Sequence, residues 1–338
     1  MEPQTEARDV LLRVDGLCKV FPQHRNFIQV LTKKPRKVLK AVDHVSLTVM
    51  RGEVLGLVGE SGCGKSTFAK SIIRLLEPDE GKVVFEGVNI TALNKEAHRK
   101  ACKDFQVIFQ DPYSSLNPRM TIQDMIEEVL LYHGVCEKKE VVQRGREILH
   151  RVGLDERMGD HYPSQLSGGQ RQRAGIARAV ALRPKLIIAD EPVSALDVSI
   201  QAQILNLLLE LQREIGCAMI FISHDLRVVR YISDRVAVMY LGKIVELADA
   251  DELYQNTAHP YSQILMQANP SLDPRQRKKK SLVEGELPSP IDLPSGCRFR
   301  PRCPRAKDIC GQREPELTEI SPGHFAACHC ISETGKMY

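Results

Sequence analysis

Apolar residues in this 338-residue chain are grouped into short runs that alternate with segments of helical periodicity. A short run that is almost wholly apolar is typical of a strand buried on both faces of a parallel sheet. Such strands are predicted at residues 54–58, 105–109, 185–189 and 218–222. Helices are predicted at residues 68–76, 121–153, 171–181 and 199–215. The alternation of the two patterns predicts an α/β protein with a parallel sheet.

A second group of segments alternates apolar and polar residues, as half-buried strands do. These segments lie at residues 10–20, 38–50 and 81–90. We interpret 38–50 as a pair of strands. Together they predict an antiparallel β subdomain beside the parallel core, and the long helical stretch predicts an α-helical subdomain at about residues 111–166.

The turn after the first buried strand has the P-loop pattern of a glycine, four residues and Gly-Lys-Ser/Thr. It consists of Gly59, Glu60, Ser61, Gly62, Cys63, Gly64, Lys65, Ser66 and Thr67. Glycines let the backbone turn tightly and aim its N–H groups inward, and the following helix start adds partial positive charge. Lys65 can then reach the outer phosphates of a nucleotide, and the Ser66 hydroxyl can bind Mg²⁺. A chance glycine turn is the alternative, but the flanking strand and helix are what a P-loop needs.

Composition narrows the class of protein. Hydrophobic residues make up 43% of the chain and charged residues 27%, as in a soluble globular protein. The net charge of +4 argues against a dedicated nucleic-acid-binding protein. No apolar run reaches the roughly 18 residues of a membrane span, and the polar residues 1–10 lead us to expect no signal peptide. A P-loop needs cytosolic nucleotide, so the ten cysteines are expected to be reduced.

Polar side chains follow three of the predicted buried strands, and they are Gln110, Asp190, Glu191 and His224. Ligands of open α/β sheets bind at the carboxyl ends of the strands, so these residues are expected to converge. Asp190 is placed to hold Mg²⁺ and Glu191 to polarise the attacking water, the arrangement known as Walker B. Gln110 can hold a water or Mg²⁺. The position of His224 favours a functional role over a structural one.

Two weaker signals leave alternatives open. The helix at 171–181 is preceded by Ser167, Gly168, Gly169 and Gln170. Their free N–H groups and hydroxyl offer a second anion cradle, and a simple N-cap is the alternative. Phe21, upstream of the P-loop, either stacks on a nucleotide base or is an ordinary core residue.

Taken together, these motifs resemble those of the ATP-binding subunit of an ABC transporter. The match rests on the P-loop, Gln110, Leu-Ser-Gly-Gly-Gln at 166–170, Leu186–Glu191, Ser-Ala-Leu-Asp at 194–197 and His224. It covers about residues 10–265, and the Leu-Ser-Gly-Gly-Gln signature distinguishes ABC ATPases from other P-loop proteins. Within the family the chain is similar to the F-type ATPases of dipeptide/oligopeptide importers, because of residues 109–118, 189–197 and 285–290.

The resemblance implies a head-to-tail dimer in which each ATP lies between the P-loop of one subunit and the signature motif of the other. Phe21 would stack on adenine, and residues 59–67 would hold the phosphates. Mg²⁺ would be bound by Ser66, Gln110 and Asp190. Glu191 would activate water, and His224 would contact the γ-phosphate. The partner's site would be completed by Ser167, Gly168, Gly169 and Gln170, with Asp197 at the dimer seam.

The same resemblance implies partners. A paralogous ABC ATPase would complete a heterodimer, with two transmembrane permease subunits, an extracytoplasmic solute-binding protein and no nucleic acid. The complex would lie at the bacterial inner membrane, with this chain peripheral on the cytoplasmic face. Residues 113–119 are predicted to be a loop, which would dock a permease coupling helix, and an ordinary surface loop is the alternative. The implied function is ATP-driven uptake of dipeptides or oligopeptides. Import of another solute, such as nickel or glutathione, and a soluble ABC ATPase without a transport role are the alternatives.

The tail contains a linker and a group of cysteines. Residues 271–295 are rich in proline and basic residues and are predicted to be a linker with a solvated basic run, and contact of that run with anionic lipid is the alternative. We therefore divide the chain into a nucleotide-binding domain at 8–265 and a C-terminal extension at 266–338.

The cysteines of the extension are Cys297, Cys303, Cys310 and Cys328, with Cys330 as an alternative fourth member. Structural zinc sites usually contain a tighter Cys-x2–4-Cys pair, whereas wider spacing suits an iron–sulphur cluster better. The resemblance to related importer ATPases implies a [4Fe-4S] cluster. Zinc and free thiols are the alternatives.

Overall fold

The computed structural model describes residues 9–23, 38–268, 289 and 291–331. The predicted linker and the 285–290 stretch lie largely outside these described residues. The chain divides into two compact units. We call residues 1–11, 49–54 and 92–223 the signature unit, and residues 12–48, 55–91 and 224–338 the P-loop unit.

The elements of the first half are, in chain order, β1 (Val10–Pro22), β2 (Val38–Met50), β3 (Val54–Val58), α1 (Lys65–Ile72), β4 (Glu80–Phe85), β5 (Val88–Asn89), α2 (Lys95–Ala101), β6 (Phe105–Ile108), α3 (Pro112–Ser115), α4 (Ile122–Tyr132) and α5 (Val141–Arg151). The second half contains α6 (Gly168–Val180), β7 (Leu186–Asp190), α7 (Val198–Ile215), β8 (Ala218–Ser223), α8 (Leu226–Ile232), β9 (Arg235–Tyr240), β10 (Lys243–Asp249), α9 (Ala250–Gln255), α10 (Pro260–Ala268), α11 (Ile309–Gln312), β11 (Thr318–Ser321) and β12 (His324–Ala326).

The P-loop unit contains two groups of paired strands. The first runs in the order β2-β1-β4-β5, and its antiparallel register places Leu12 opposite Phe85. The second runs β11-β12-β10-β9-β3. In it, β3 and β9 are parallel, with Leu55 opposite Arg235, and the remaining pairs are antiparallel. The predicted antiparallel β subdomain is confirmed.

The signature unit contains the parallel strands β6, β7 and β8, with β7 between the other two. Every residue of β3, β7 and β8 is buried, which confirms the prediction from the apolar runs. Parallel strands alternate with helices along this unit, as predicted for an α/β protein. None of the helices among the described residues combines the length and hydrophobicity needed to cross a bilayer.

Two local predictions were wrong. Residues 38–50 form one long strand rather than a pair. The stretch at 113–119 is not wholly a loop, because it begins within α3. Asp111 caps that helix by accepting the Tyr113 N–H, and Pro112 occupies its first turn, where a missing N–H costs nothing.

Candidate nucleotide site

The P-loop begins where β3 ends and wraps around the side chain of Lys65. The Lys65 ammonium donates to the carbonyl of Gly59 at 2.8 Å and to that of Glu60 at 3.1 Å. Only 4% of Lys65 is exposed. The loop therefore contains a fixed, buried positive charge that a phosphate can neutralise.

Two glycines let the chain follow this path. Gly59 has φ +155°, and a Cβ there would lie 2.2 Å from the Met239 carbonyl oxygen. Gly64 has φ +111°, and its Cβ would lie 2.1 Å from the Ala41 carbonyl oxygen. Gly64 is also the N-cap of α1, and no side chain of the described residues caps that helix. The first N–H groups of α1 thus face a cradle without a side chain, which fits the phosphates of ATP.

Three further predicted residues can be placed in the P-loop unit. Ser66 is half-buried in the first turn of α1. Phe21 lies near the end of β1 with its ring half-buried, and the Lys19 ammonium lies 5.7 Å from the ring centroid. His224 is exposed directly after β8.

The Walker B residues lie in the signature unit, and one of them, Glu191, is hydrogen-bonded to Gln110. Asp190 ends β7 and is 5% exposed. Glu191 follows with φ +47°, and its N–H donates to the Ile222 carbonyl at 3.0 Å. Gln110 Nε2 donates to Glu191 Oε2 at 2.9 Å. The left-handed backbone and the bond from Gln110 fix the direction of the Glu191 carboxylate, the kind of local strain that is found at functional sites.

The signature motif is capped by its own side chains. Ser167 Oγ accepts the Gln170 N–H at 3.3 Å, and Gln170 Oε1 accepts the Ser167 N–H at 2.9 Å. This is a capping box at the start of α6. Ser167 and Gly168 are exposed, Gly169 is half-buried, and Asp197 is exposed at the N-cap of α7. The motif is therefore both an N-cap and an outward-facing surface.

Comparison with known proteins gives the family. A model described as "ABC transporter" matches residues 42–194, and one described as "Oligopeptide/dipeptide transporter, C-terminal region" matches residues 245–310. The oligopeptide transport ATP-binding protein AppF of Bacillus subtilis (strain 168) is 49% identical over 96% of this chain and 98% of its own length. The chain belongs to the ABC transporter family.

Two further similarities agree with that assignment. The oligopeptide transport ATP-binding protein OppF of Escherichia coli (strain K12) is 52% identical over 97% of this ABC protein and 98% of its own length. Among solved structures, the ATP-binding cassette MJ0796, described as a dimeric post-hydrolysis state bound to ADP and Pi, is 30% identical with a TM-score of 0.63. That similarity covers 71% of this chain and 98% of the cassette, so the ABC ATPase fold is confirmed.

Two residues at the P-loop of this ABC protein were not predicted. Arg302 donates two bonds to the Glu60 carboxylate, at 2.8 and 2.9 Å. The Tyr261 hydroxyl accepts the Glu60 N–H at 2.8 Å. Arg302 and Glu60 are 242 residues apart, and no local sequence pattern reveals a contact over that separation.

The prediction of an iron–sulphur cluster is wrong. Within the part of the chain that the structure describes, potential metal-ligand atoms lie within 4.8 Å of one another in the group formed by Cys18, His44 and Glu80. That group contains none of Cys297, Cys303, Cys310 and Cys328. The relatives reported above are named for ATP binding and peptide transport. The geometry supports neither a [4Fe-4S] cluster nor zinc at these four cysteines.

Burial and the neighbouring thiols favour the neutral form of these cysteines. Burial raises the pKa of Cys297 and Cys303, and it raises the pKa of Cys328 to about 12. Cys328 Sγ accepts the Cys330 N–H at 3.4 Å, and Cys330 Sγ donates to the Arg305 carbonyl at 3.4 Å. They are free thiols engaged in local hydrogen bonds and packing.

Proposed function

We propose that this chain is the ATP-hydrolysing subunit of an ABC importer that takes up dipeptides or oligopeptides. The extent of the similarity carries the proposal, because two relatives named oligopeptide transport ATP-binding proteins match 96% and 97% of the chain. The similarity includes the C-terminal region as well as the cassette. It therefore goes beyond the ATP-binding core that ABC proteins of many functions share.

ATP binding is assigned to the P-loop. The N–H groups at the start of α1 and the Lys65 ammonium receive the phosphates, and Phe21 stacks on adenine. The residues assigned to Mg²⁺ are Ser66, Gln110 and Asp190. Bound Mg²⁺ supplies electrostatic stabilisation of the charge on the transferred phosphoryl group. Support for this assignment comes from the buried Lys65 and from the uncapped start of α1.

Hydrolysis is assigned to Glu191 and His224. Glu191 orients the attacking water and accepts its proton, and His224 contacts the γ-phosphate. Gln110 keeps the Glu191 carboxylate in one direction through the 2.9 Å bond. A positioned carboxylate of this kind lowers the barrier only while it is ionised and aligned with the water.

Dimerisation is assigned to the signature motif and to Asp197. Ser167, Gly168, Gly169 and Gln170 meet ATP bound to the partner, and Asp197 lies at the seam. The solved cassette MJ0796 is described as a dimer, which supports this assembly. The partner proposed for this chain is a paralogous ATPase.

Coupling to the membrane is assigned to residues 113–119, which dock a permease helix. Two arginines of α6, the helix that begins with the signature motif, contact this stretch. The Arg171 guanidinium lies 5.1 Å from the centroid of the Tyr113 ring, and Arg178 donates to the Ser115 carbonyl at 2.6 Å. Movement of α6 on dimer closure would thus be passed to the docking stretch as a rigid-body shift.

The remaining assignments describe the complex. Two permease subunits and an extracytoplasmic solute-binding protein complete the importer, and this chain is peripheral at the cytoplasmic face of the bacterial inner membrane. The nucleotide-binding domain extends over 8–265 and the C-terminal extension over 266–338.

Affinity capture from detergent-solubilised membranes tests the proposal. Tagged full-length chain is expected to recover two hydrophobic permease subunits and a second ATPase, identified by mass spectrometry. A variant in which Tyr113 and Arg119 are both replaced by Ala should recover the second ATPase without the permeases. Recovery of ribosomes in place of permeases would refute the transport assignment and indicate a soluble ABC ATPase.

A further inference from the structure

Arg302 of the C-terminal segment (residues 291–331) contacts the nucleotide loop itself. Glu60 is the second residue of the P-loop, and each of its polar groups is engaged. Its carboxylate accepts the two Arg302 bonds, its N–H donates to the Tyr261 hydroxyl, and its carbonyl accepts from the Lys65 ammonium. The same residue therefore joins the phosphate-binding lysine to the C-terminal segment.

The backbone that carries Arg302 is held in place by buried neighbouring residues. Phe299 is 1% exposed, and its ring centroid lies 5.3 Å from that of Tyr240 and 5.5 Å from that of Tyr261. The neighbouring Arg298 is also buried and donates to the Leu241 carbonyl and to the Asp43 carboxylate. Aromatic packing and these bonds fix the segment on which Arg302 lies.

The pairing of Arg302 with Glu60 matters because of charge. Without Arg302, Glu60 would place an uncompensated carboxylate in the loop that must accept a triphosphate. The negative charges of the carboxylate and of the triphosphate repel each other, and the repulsion is larger where water is partly excluded. A bidentate arginine removes this repulsion and also fixes the direction of the side chain.

We propose that Arg302 is a positioning residue for ATP binding. By pairing with Glu60, it neutralises the loop carboxylate and holds the first turn of the P-loop in the shape that accepts the phosphates. This inference rests on the proposed function, since it takes ATP as the ligand. It gives the C-terminal segment a direct role at the nucleotide site.

The test is a double-mutant cycle in the full-length chain, with binding of a fluorescent ATP analogue and of ADP as readouts. Arg302→Ala is expected to raise the ATP dissociation constant about tenfold, the size of a typical coupling between interacting groups. The Arg302→Ala/Glu60→Gln double variant should recover most of that loss, because the unpaired charge is gone. Arg305→Ala, at an exposed arginine of the same segment, should change nothing.

Thermal unfolding of every variant shows whether it is folded. Unchanged ATP affinity in folded Arg302→Ala would overturn the inference, as would a double variant no better than the single one. Failure of the wild-type chain to bind ATP would instead refute the proposed function. In turnover assays, Arg302→Ala should raise KM and leave kcat nearly unchanged, since Arg302 acts before the chemical step.

A second group of side chains lies on the antiparallel sheet. Cys18, His44 and Glu80 come from the neighbouring strands β1, β2 and β4, and Cys18 lies directly opposite Glu80. One possible ligand atom from each residue lies within 4.8 Å of the other two. His44 Nε2 is 3.6 Å from Glu80 Oε2, and the backbone N–H of His44 donates to Cys18 Sγ at 3.1 Å.

The surroundings of His44 resemble the outer shell of a metal site. Asp43 Oδ1 lies 2.8 Å from His44 Nδ1, so a proton on Nδ1 leaves Nε2 as the ligand. His44 has φ +50°, a strained conformation for a residue other than glycine. We infer that Cys18, His44 and Glu80 bind a divalent transition-metal ion of the Zn²⁺ type, with a mixed sulphur, nitrogen and oxygen ligand set.

Co²⁺ titration of the full-length chain tests this site, because cobalt thiolate bonds give an absorption band. The wild-type chain is expected to bind one more equivalent than either Cys18→Ser or His44→Asn, and asparagine tolerates the left-handed conformation of residue 44. Cys136→Ser should retain the full stoichiometry. Equal stoichiometry in the wild type and in folded His44→Asn would overturn the inference.

Discussion

Two glycine-containing helix starts in this ABC protein are built in different ways. Helix α1 follows the P-loop, begins after Gly64 and has no side-chain cap among the described residues. Helix α6 begins with the signature motif, and Ser167 and Gln170 cap it reciprocally. The P-loop lysine is buried, whereas Ser167 is exposed. Among the described residues, the first start has no side-chain cap, and the second is capped by its own residues and faces outward.

The two starts also differ in what holds them. The signature cap uses residues three positions apart, so it is local. The P-loop is held by Tyr261 and Arg302, which are 201 and 242 residues away from Glu60. The shape of the P-loop therefore depends on distant segments, while the shape of the exposed signature motif depends on adjacent residues.

The largest effect is expected at Glu191, which follows β7 and belongs to neither of the two helix starts. Glu191→Gln should lower ATP hydrolysis about 1,000-fold, the range of a lost general base. ATP binding should persist, because neither helix start is altered. Phosphate release and size-exclusion chromatography with ATP measure both, with Glu210→Gln as an exposed control on α7. Unimpaired hydrolysis would remove Glu191 as the base.

The next effect separates the two helix starts directly. Lys65→Ala should weaken ATP binding about 100-fold, because a buried charge that pairs with phosphate is lost. Lys70→Ala, in the last turn of the same helix, serves as the control. Equilibrium binding of a fluorescent ATP analogue is the measurement. Retention of tight binding by Lys65→Ala would show that α1 is not the phosphate site.

A smaller effect is expected at the signature motif. Ser167→Ala removes the cap of α6 and should cost about 1 kcal/mol of unfolding free energy. Thr121→Ala is a matched control, since Thr121 and Asp124 form the same capping box at α4. Both variants should lose similar stability and keep their ATP affinity, but only Ser167→Ala should lower turnover in the assembled transporter. Equal turnover in the two variants would make the motif a structural cap and no more.

The smallest effect concerns the docking of the C-terminal segment. His324 Nε2 lies 2.8 Å from the buried Glu246, which also accepts the N–H groups of Ala258 and His259, close to Tyr261. Burial alone would lower the pKa of His324, but the bonds and charges of Glu246 and Glu252 raise it above its ordinary value. A raised pKa stabilises the fold below about pH 6.5, and the contribution is lost as pH rises through the folded pKa.

The stability difference between the wild type and His324→Asn should therefore shrink by on the order of 1 kcal/mol as pH rises above neutrality. Denaturant unfolding across this pH range measures it. Burial lowers the pKa of the neighbouring His259 to about 4, so His259 contributes the opposite pH dependence, and it does so in both proteins. A difference that stays constant or grows with pH would contradict the charged pair.

The sequence predicted those parts of the site that are local. The P-loop, the signature motif and the Walker B carboxylates are contiguous, and their backbone geometry follows from adjacent residues. Gln110 and Glu191 could be expected to meet because each follows a parallel strand. The Glu60–Arg302 pair could not be predicted, because it depends on how the C-terminal segment folds back within its unit.

The cysteines of the C-terminal segment show why a pattern along the chain can predict a site wrongly. Spacing along the chain suggested a cluster, but spacing does not fix the distance between sulphur atoms. The Cys297 N–H donates to the Cys310 carbonyl at 2.7 Å, and Cys328 Sγ accepts the Cys330 N–H at 3.4 Å. In the same way, the alternation at 38–50 gave the correct strand type but did not show that one strand runs through the whole stretch.

Peptide-dependent ATP hydrolysis by the whole transporter tests the central claim most directly. The chain would be assembled in proteoliposomes with the proposed second ATPase and permeases, and phosphate release measured with and without the proposed binding protein loaded with peptide. Hydrolysis is expected to rise with peptide and to be lost with Glu191→Gln in this chain. Hydrolysis that is indifferent to peptide, or that persists in the variant, would contradict it.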